Sequence, residues 1–415
     1  MKHVVVVGAG IIGLSCAYYL LKEGVRVTVL DDGDGSDNCS FGNAGYFSPS
    51  HIIPLAAPGM MTRGLKWMLD RESPFYIKPR LNGDLINWGL SFKKAATDKK
   101  VRIAAPLLND LMFKSRELIE ELVTSESLDV GLNTQGLIMY CKTKASFKEE
   151  GDIGNWASEL GQSVEKLTPS EAKAINPGLD LDIYGGVYFK DDACITPHLL
   201  MKGLREVLVS SGVEIQYHSS VKGLIRENGS VKSVLVNDGL VHGDEFIIAA
   251  GSWTPAILRS IKVGILIQPG KGYSFVDPNP VVMPKIPGIL AEAKVAMTPM
   301  QHGLRFAGTM ELAGYNKDIN PVRVRAIANA IPKYFPQFKD HDFSRTEPWG
   351  GLRPCSPDGL PYIGRTKHYD NLIVASGHAM LGLTLAPITG RLVSNIIVGR
   401  KNELDIKQLD VDRYN

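Results

Sequence analysis

The first residues with recognisable chemistry are three glycines near the N-terminus, spaced as Gly8, Gly10 and Gly13. They follow an apolar, β-branched run at 4–7, and a helical pattern continues from them to about Gly24. In a strand–turn–helix unit the first glycine allows a tight turn, the second lets a pyrophosphate approach the backbone, and the third brings helix and strand together. The spacing therefore predicts a dinucleotide-binding turn.

The residues that flank this turn support the same prediction. The backbone N–H groups of Ile11 and Ile12 would open the helix and, with the positive end of its dipole, face the phosphates. A second apolar strand at 25–30 ends at Asp31, where a carboxylate can accept hydrogen bonds from the hydroxyls of an adenosine ribose. The glycine motif alone does not distinguish FAD from NAD.

Three later segments favour FAD. Residues 242–253, HGDEFIIAAGSW, predict a buried strand that ends at Gly251, which we assign to the cofactor site. They follow a β-meander pattern over VEIQYH, SVKGLIREN and VKSVLVND, with a turn at Asn228-Gly229. Such an inserted meander is familiar from glutathione-reductase-like FAD domains. Residues 371–397 predict a further strand, a Gly-His turn and a helix whose N-terminus would aim N–H groups at a flavin carbonyl.

Composition narrows the class of function. Lys plus Arg number 46 against 44 Asp plus Glu, which gives a net charge of +2. This balance excludes the concentrated basic face of a nucleic-acid-binding protein. The five cysteines are dispersed and lack the spacing of metal ligands, so we expect neither a disulfide framework nor a metal site.

The chain is expected in the cytoplasm. Its first residues lack the apolar length and the small-residue cleavage site of a secretory signal, and we find no apolar run that approaches the roughly 18 residues of a membrane span. The basic cluster KKAATDKKVR at 93–102 leaves peripheral contact with the inner face of the plasma membrane open. A solvated basic surface is the simpler interpretation of that cluster.

The order of these patterns predicts an α/β protein with two interleaved domains. A Rossmann-like FAD-binding domain of the glutathione-reductase type would comprise residues 1–50, 190–262 and 345–415. A substrate-binding α+β domain with a mixed sheet would comprise residues 51–189 and 263–344. Those two segments alternate amphipathic helical patterns with strand-like pieces such as GYSFVD and LRFAGTME. The mixed sheet would then lie over the flavin.

Eight motifs, taken in chain order, resemble those of the D-amino acid oxidase (DAO) superfamily. The resemblance is closest to the small-subunit type of bacterial D-amino acid dehydrogenase and to hydroxyproline dehydrogenases. The motifs span nearly the whole chain: GAGIIGLSCAYYL, SFGNAGYFSP, LAAPGM with LKWML, DDACITPHLL, KGYS, AGTMELAGY, GLRPCSPDGLPYIGRT and SGHAMLGLTLAPITGR.

The resemblance implies roles for further residues. Those implied to contact the flavin and pyrophosphate are Asn43, Ala44, Gly45, Gly377, Leu381, Gly382, Leu383 and Thr384. Arg353, in the GLRP motif, is implied to bind a substrate carboxylate, which a guanidinium can hold with two parallel N–H bonds. Tyr273, in KGYS, would lie over the flavin and contact the same carboxylate. Because Gly351 stands where covalent-flavin relatives carry a cysteine, and Cys355 is offset, FAD is expected to bind non-covalently.

Each candidate catalytic residue also has a structural interpretation. Arg353 would otherwise form an ion pair, and Tyr273 would otherwise donate to a backbone carbonyl. His51 lies in SPSHIIP, where the sequence departs from the dehydrogenase pattern. It would contact the amine or a ring substituent of the substrate, or else pack as an ordinary histidine. His378 would place a positive charge near the flavin, or else bond to the backbone at the helix start.

The expected reaction is the oxidative deamination of a D-amino acid to a 2-oxo acid and ammonia, with hydride transfer from the α-carbon to flavin N5. The electrons are expected to pass to an acceptor other than NAD, such as a membrane quinone. Two alternatives stay open. One is dehydrogenation of hydroxyproline, D-proline or another cyclic imino acid, and the other is a flavoprotein subunit that needs a partner chain.

Overall fold

The structure is a computed structural model that describes residues 1–67, 73–80, 82–237 and 239–415. Met68 and Leu69, at the end of the LKWML motif, lie outside the described residues. The helices are α1 (Ile11–Lys22), α2 (Met60–Trp67), α3 (Gly83–Ala95), α4 (Asp98–Ser125), α5 (Lys144–Glu159), α6 (Pro169–Ile175), α7 (Pro197–Ser210), α8 (Thr254–Arg259), α9 (Pro321–Tyr334) and α10 (Gly382–Val398). The strands are β1 (His3–Val7), β2 (Arg26–Leu30), β3 (Tyr46–Phe47), β4 (Phe75–Ile77), β5 (Leu137–Cys141), β6 (Val164–Leu167), β7 (Gly185–Phe189), β8 (Ala193–Cys194), β9 (Glu214–Gln216), β10 (Val221–Glu227), β11 (Ser230–Val236), β12 (Gly239–His242), β13 (Glu245–Ile248), β14 (Gln268–Asp277), β15 (Gly288–Leu290), β16 (Val295–Met300), β17 (Gly303–Leu312), β18 (Trp349–Cys355), β19 (Tyr362–Arg365) and β20 (Leu372–Ser376).

A six-stranded sheet carries the N-terminal glycine turn, in the order β19-β20-β13-β1-β2-β9. Its strands are parallel except for β19, which pairs antiparallel with β20. β1 lies at the centre, and its valines are buried on both faces, as the β-branched run predicted. Helices α1 and α10 pack in the apolar core on one face, and strands β10 and β11 pack in the core on the other. The α/β fold with a Rossmann-like domain is confirmed.

The structure contains the predicted antiparallel meander, but its strands differ from those that we predicted. It consists of β10, β11 and β12, and Asn228 and Gly229 both have positive φ in the tight turn between β10 and β11. The segment VEIQYH, which we expected to open the meander, instead contributes β9 to the edge of the parallel sheet. A strand of three residues is too short to show an alternation of polar and apolar side chains. Its sequence therefore does not indicate which strand it pairs with.

A nine-stranded mixed sheet is built from two segments of the chain, residues 75–189 and 268–355, in the order β18-β14-β17-β16-β15-β5-β7-β6, with β4 paired to β17. β14 lies between β17 and β18 and pairs antiparallel with both. An aromatic cluster that includes Phe275, Phe306 and Phe338 packs beneath it. The domain boundaries at residues 50, 189, 262 and 344 stay a prediction. β18, which falls on the predicted cofactor side of the last boundary, pairs within the mixed sheet.

One helical stretch among the described residues, Ala379–Val398, is long and apolar enough to cross a membrane. Our expectation that no run approaches this length was therefore wrong. However, 72% of the apolar window is buried inside the fold, and α10 packs against α1 and α4. The length and apolarity of this stretch are accounted for by its place in the protein core.

Candidate active site

A cavity of about 1020 Å³ collects residues from both large sheets. Its lining includes the glycine turn and Asp31, and also Arg353, Thr309 and His51. A small-molecule pocket usually has about 300–1,000 Å³. The cavity is therefore large enough for an extended ligand together with a small second one.

The glycine turn is shaped by close backbone contacts. Gly8 has φ +109°, and a Cβ atom there would lie 2.6 Å from the carbonyl oxygen of Ala249. A Cβ atom on Gly13 would lie 1.8 Å from the carbonyl oxygen of Gly8, so only glycine allows α1 to approach β1 this closely. Gly10 is the N-cap of α1, and the nearest atom to its Cβ position is Ser40 Oγ at 3.6 Å. Space for a phosphate therefore remains beside Gly10.

Asp31 begins the loop after β2 and braces the turn. Its Oδ2 accepts a hydrogen bond from the backbone N–H of Ala9 at 2.6 Å, and its Oδ1 accepts one from Gly33 at 2.8 Å. A carboxylate has about four lone-pair sites, so two remain for ribose hydroxyls. The predicted ribose contact stays a prediction, and Asp31 also has a structural role that we did not foresee.

Two polar residues that hold the loop beside the cavity were missed from the sequence; Ser40 lines the cavity and Arg305 does not. Ser40 Oγ accepts from the backbone N–H of Ile11 at 3.1 Å. Arg305 Nη1 donates to the carbonyls of Phe41 and Asn43 at 2.9 and 2.7 Å, and burial lowers its pKa to about 10. Together they fix the 40–43 loop beside the glycine turn. Ser40 lies inside a motif that we quoted, but nothing in the spacing indicated its partner.

The start of α10 lies at the far side of the same cavity. The lining includes Leu381, Gly382, Leu383 and Thr384, and the helix has no side-chain cap. Thr384 Oγ1 donates to the carbonyl of Tyr46 at 2.8 Å, which joins α10 to β3. Uncapped N–H groups at a helix N-terminus attract partial negative charge on a ligand. This arrangement matches the cradle predicted for the flavin carbonyl.

Most predicted cofactor residues line the cavity. Those that do so are Gly8, Gly10, Ile11, Ile12, Asp31, Asn43, Ala44, Gly251, Leu381, Gly382, Leu383 and Thr384. The exceptions are Gly13, Gly45 and Gly377. Gly13 packs on Gly8, Gly45 packs on the backbone of Ile195, and Gly377 packs on the ring of Tyr362. The structure therefore gives these three glycines a packing role. It gives no support for a direct contact between them and the cofactor.

The residues present fit an FAD molecule. The N-termini of α1 and α10 both line the cavity, and neither is capped by the side chain of its own N-cap residue, although Ser40 takes the N–H of Ile11. Such helix starts suit a diphosphate and a polar ring edge. Ser48 Oγ and His378 Nδ1 also belong to lining residues, and both are buried atoms with no hydrogen-bond partner in the described chain. Buried polar atoms without partners are rare in proteins unless a ligand or water completes them.

Arg353 is a cation in the cavity wall that has no counter-ion among the residues the structure describes. Its Nη1 donates to the carbonyl of Thr309 at 2.7 Å, and burial lowers its pKa. Within the described ranges no carboxylate pairs with it, so the ion pair that we considered as an alternative is absent there. Burying an uncompensated charge is costly, and a carboxylate in the cavity would relieve that cost.

The carbonyl that receives Arg353 is aimed by an irregularity in β17. The pairing of β14 with β17 shifts register between Lys271 and Tyr273, which leaves Thr309 in a β-bulge. Thr309 has φ +65°, an unusual conformation for a β-branched residue. Bulges of this kind often redirect groups beside active sites. The sequence AGTMELAGY gave no signal of it.

Gly272 faces the guanidinium directly. A Cβ atom on Gly272 would lie 2.1 Å from both Nη1 and Nη2 of Arg353. The two residues are on neighbouring strands, because Gly270 of β14 pairs with Arg353 of β18 and Gly272 with Gly351. The glycine in KGYS therefore provides the space in which the arginine lies.

Tyr273 lines the cavity, and its predicted contact with a substrate carboxylate stays a prediction. It follows Gly272 on β14, and its side chain packs in the aromatic core beneath the mixed sheet. Its hydroxyl donates to Glu311 Oε2 at 2.8 Å, and burial raises its pKa. Since the phenol has one proton, a bond from Tyr273 to a substrate carboxylate would replace the bond to Glu311.

His51 lines the cavity and is tied to the protein behind it. Its Nδ1 lies 3.1 Å from Ser50 Oγ, and Ser50 Oγ in turn donates to Asp192 Oδ2 at 2.6 Å. Burial, assisted by the nearby Lys294, lowers the pKa of His51 to about 4. The imidazole is therefore neutral at physiological pH, and its position at the cavity agrees with the predicted contact to a substrate.

His378 is also neutral. It is 1% exposed, burial lowers its pKa to about 3, and Nε2 lies 3.0 Å from the hydroxyl of Thr389. Of our two alternatives, a positive charge near the flavin is not supported. A bond at the helix start is found, but it is made to a side chain in α10 and not to the backbone.

The wall beside Arg353 is apolar. Its lining residues include Leu55, Pro58, Met60, Phe75 and Met310. Cys355 lies outside the lining, whereas Cys39 reaches it and accepts a hydrogen bond from Leu352 N at 3.3 Å. Burial raises the pKa of the Cys39 thiol, so this cysteine stays protonated. The site combines the guanidinium of Arg353 with a surface for a small apolar group.

Comparison with known proteins agrees with this architecture. A family model described as "DAO: FAD dependent oxidoreductase" matches residues 3–396. A protein of Paramagnetospirillum magneticum named D-amino acid dehydrogenase is 31% identical, covering 99% of this chain and 98% of the relative. A protein of the same name from Allorhizobium ampelinum has the same identity and coverage.

Solved structures share the fold. The crystal structure of glycine oxidase from Geobacillus kaustophilus superimposes with a TM-score of 0.80 at 19% identity and covers 100% of both chains. An L-proline dehydrogenase from P. horikoshii gives 0.74 at 20% identity, covering 100% of this chain and 97% of the other.

Proposed function

This chain belongs to the DAO family of FAD-dependent oxidoreductases, and from that membership we propose that it oxidises D-amino acids to 2-oxo acids and ammonia. The activity of an FAD-dependent oxidoreductase follows from the family. The choice of a D-amino acid is supported by relatives at 31% identity over 99% of the chain that carry the name D-amino acid dehydrogenase.

The observation that carries the proposal is the guanidinium of Arg353 in the cavity wall, which pairs with no carboxylate in the described part of the chain. An amino acid brings the carboxylate that this cation lacks. Because Thr309 holds one edge of the guanidinium at 2.7 Å, the remaining N–H groups are free to orient the carboxylate. When the carboxylate is fixed, the position of the α-carbon attached to it is restricted as well. Such positioning is a large part of enzymatic catalysis.

The glycine turn and the start of α10 would hold FAD, which would supply the hydride-accepting chemistry for the α-hydrogen at flavin N5. We propose that the final electron acceptor is a quinone and not NAD. The protein's part is binding and electrostatics. The N-terminus of α10, which lines the cavity, would stabilise negative charge on a bound flavin by its dipole. The apolar wall that includes Leu55, Phe75 and Met310 excludes water from the reacting carbon. FAD is proposed to bind non-covalently, since Cys355 does not line the cavity.

The apolar wall favours a small apolar side chain over a charged one. The guanidinium of Arg353 for the carboxylate and a hydrocarbon surface in the same cavity suit D-alanine and similar substrates. The same surface suits the ring of D-proline, so a cyclic imino acid dehydrogenase is the second candidate. Its product would be a cyclic imine and not a 2-oxo acid with ammonia.

The test is anaerobic bleaching of the oxidised flavin band in the purified holoenzyme. The panel contains D-alanine, D-proline and cis-4-hydroxy-D-proline, with the L-enantiomers of alanine and proline as matched controls. Faster bleaching by D-alanine supports the proposal, and faster bleaching by D-proline supports the second candidate. Bound flavin that no member of the panel reduces would reject both.

The acceptor is tested after the substrate. The reduced enzyme is mixed with NAD, with oxygen or with a soluble quinone, and flavin reoxidation is followed. Rapid reoxidation by the quinone, with none by NAD, is the expected result. A lone chain that is reduced by amino acid but reoxidised by none of the three acceptors would indicate a missing partner subunit. We also propose that the enzyme is cytoplasmic and meets the quinone at the inner face of the plasma membrane.

A further inference from the structure

Three side chains form a hydrogen-bonded chain that leads from the cavity into the protein. His51 lies at the cavity surface, Ser50 is 7% exposed, and Asp192 is fully buried. Nδ1 of His51 lies 3.1 Å from Ser50 Oγ, which lies 2.6 Å from Asp192 Oδ2. The backbone N–H of Ser50 also donates to Asp192 Oδ1 at 3.0 Å. The serine is therefore held between an imidazole and a carboxylate.

The protons of this chain have two consistent arrangements. With Asp192 ionised, Ser50 donates to the carboxylate and accepts from Nδ1–H of His51, so Nε2 carries a lone pair. With Asp192 protonated, the acid donates to Ser50, Ser50 donates to Nδ1, and Nε2 carries the proton. Nε2 has no hydrogen-bond partner among the described residues, and His51 borders the cavity. The chain can thus take a proton from the cavity and store it on a buried acid.

The proposed reaction creates a need for such a path. An amino acid is bound mostly as an ammonium ion at neutral pH, because its amine has a pKa of about 8 or higher. The α-hydrogen can leave as hydride only when the nitrogen lone pair is free to form the C=N bond. One proton must therefore leave the nitrogen before or during that step.

We propose that His51, Ser50 and Asp192 are a proton relay that deprotonates the substrate ammonium, an inference that rests on the proposed function. His51 Nε2 accepts the ammonium proton, His51 Nδ1 gives its proton to Ser50, and Ser50 gives its own to Asp192 Oδ2. The amine is then neutral, the carboxylate has become a carboxylic acid, and no charge is left on the imidazole. Asp192 loses the proton again after the product has left.

The surroundings set the direction of transfer. The charged groups near His51 are Lys294 and, paired with Lys294 at 3.3 Å, Glu150 of α5. Asp192 is approached by Arg116 of α4 and by its neighbour Asp191. Burial raises the pKa of Asp192 to about 7 and lowers that of His51 to about 4. The proton therefore rests on the aspartate, and the histidine only passes it on.

The pH profile of flavin reduction tests the relay. In the wild type, the reduction rate divided by the substrate dissociation constant is expected to level off above about pH 7, where Asp192 is ionised, and to fall about tenfold per unit below it. Asp192→Asn should remove this plateau. The rate at pH 7 should then be at least tenfold lower and should keep rising with pH until the substrate amine itself loses its proton.

Three further variants separate the relay from a structural role. Ser50→Ala should behave like Asp192→Asn, and Ser50→Thr should restore the wild-type profile. His51→Ala should be rescued by added imidazole. Asp412→Asn and Ser394→Ala are the matched controls, because both residues are buried and hydrogen-bonded outside the cavity lining. Wild-type profiles in Asp192→Asn or Ser50→Ala would overturn the proposal, as would absence of rescue by imidazole.

One readout needs no substrate. Infrared difference spectra across a pH jump should show a protonated carboxyl that titrates near pH 7 and is missing in Asp192→Asn. Its titration should shift in Ser50→Ala and in His51→Ala. A signal unaffected by either variant would overturn the coupling even if no amino acid reduced the flavin. Failure of the proposed function and failure of the relay are thus distinguished.

Discussion

Arg353 illustrates how much one side chain can indicate when its partners are known. A guanidinium enclosed in protein is normally compensated by a carboxylate. Here its one polar contact within the described chain is the carbonyl of Thr309 at 2.7 Å, and its other N–H groups point to no protein acceptor. The residue is therefore incomplete without an anion, and the cavity that it lines is where the anion would bind.

Arg353→Lys should weaken substrate use strongly. Lysine keeps the charge but loses the planar fork that holds a carboxylate by two bonds. Loss of one hydrogen bond to a charged group costs about 1.5–3 kcal/mol, so kcat/KM should fall roughly 10- to 150-fold, mainly through KM. Steady-state kinetics with the best D-amino acid measures this, and flavin content should stay unchanged.

The matched control is Arg365→Lys. Arg365 also forms a two-bond pair, with Glu245 at 2.6 and 2.9 Å, but it does not line the cavity. Its variant should keep the wild-type kcat/KM. Equal losses in the two variants would mean that Arg353 acts through stability and not through the substrate.

At the scale of elements, strands β14, β17 and β18 jointly build the place of Arg353. β18 carries the residue, the bulge in β17 supplies the carbonyl of Thr309, and β14 leaves room by having glycine at 272. None of these strands would achieve the arrangement alone. The site therefore depends on the register between strands that are distant in sequence.

Gly272→Ala should displace Arg353 without unfolding the sheet. The new methyl group would overlap the guanidinium, with 2.1 Å between Cβ and either terminal nitrogen, and the flexible arginine would move. Misplacing a positioning group by about 1 Å can cost roughly 100-fold in rate. We expect KM to rise at least about tenfold in steady-state assays.

Gly350→Ala is the control for this prediction. It lies on the adjacent β18, and the nearest atom to its Cβ position is Ile319 Cδ1 at 3.0 Å, which can move. KM should change less than about threefold, since no group of the substrate site is displaced. A KM in Gly272→Ala equal to that in Gly350→Ala would contradict the steric argument.

The crossing of α1 and α10 is a second element-scale feature. Gly390 of α10 lies against the backbone of α1, and a Cβ atom there would be 2.4 Å from the carbonyl oxygen of Ser15. Because backbone cannot rotate away as a side chain can, Gly390→Ala must separate the helices. We expect a loss of about 1–3 kcal/mol in the free energy of unfolding, measured by urea denaturation of the holoenzyme.

For Gly89→Ala we expect the opposite effect on the free energy of unfolding. Gly89 lies inside α3, and nothing lies within 4 Å of its Cβ position. Alanine should therefore stabilise the protein by up to about 1 kcal/mol through its helix propensity. If both substitutions were stabilising, the close approach of α1 and α10 would not be real.

At the scale of the whole molecule, the surface of α3 supports the proposed membrane contact. Ile86 and Leu90, one helical turn apart, are 52% and 57% exposed. Lys93 and Lys94 follow in the last turn of the helix. Apolar groups next to lysines suit the interface of an anionic bilayer.

The holoenzyme should co-sediment with phosphatidylserine-containing vesicles, and less so as salt rises. Ile86→Glu/Leu90→Glu should reduce the bound fraction, and Lys93→Gln/Lys94→Gln should weaken binding roughly fivefold per lysine, since each contributes about 1 kcal/mol. Leu240→Glu, at an equally exposed position on the meander, is the control. If all variants lose binding equally, or if the wild type does not bind, α3 is an ordinary solvated surface and not a membrane contact.

The sequence by itself determined the cofactor half of the molecule. The strand, the glycine turn, the helix and Asp31 follow one another within one short segment, so their geometry is dictated by local backbone rules. The same holds for the Asn-Gly turn of the meander and for the start of α10. Where the pattern was short, as in VEIQYH, the local rules gave the strand but not its partner, because pairing is a non-local choice.

Only the tertiary structure decided what the polar residues do. Tyr273 and Gly272 are neighbours in sequence, yet alternation along β14 gives one to the core and the other to the guanidinium. Whether Arg353 has a counter-ion, and whether His51 is coupled to Asp192, depends on residues more than forty positions away in the chain. Burial and partner distance set the charge of such groups, and neither quantity is encoded in the spacing of residues along the sequence.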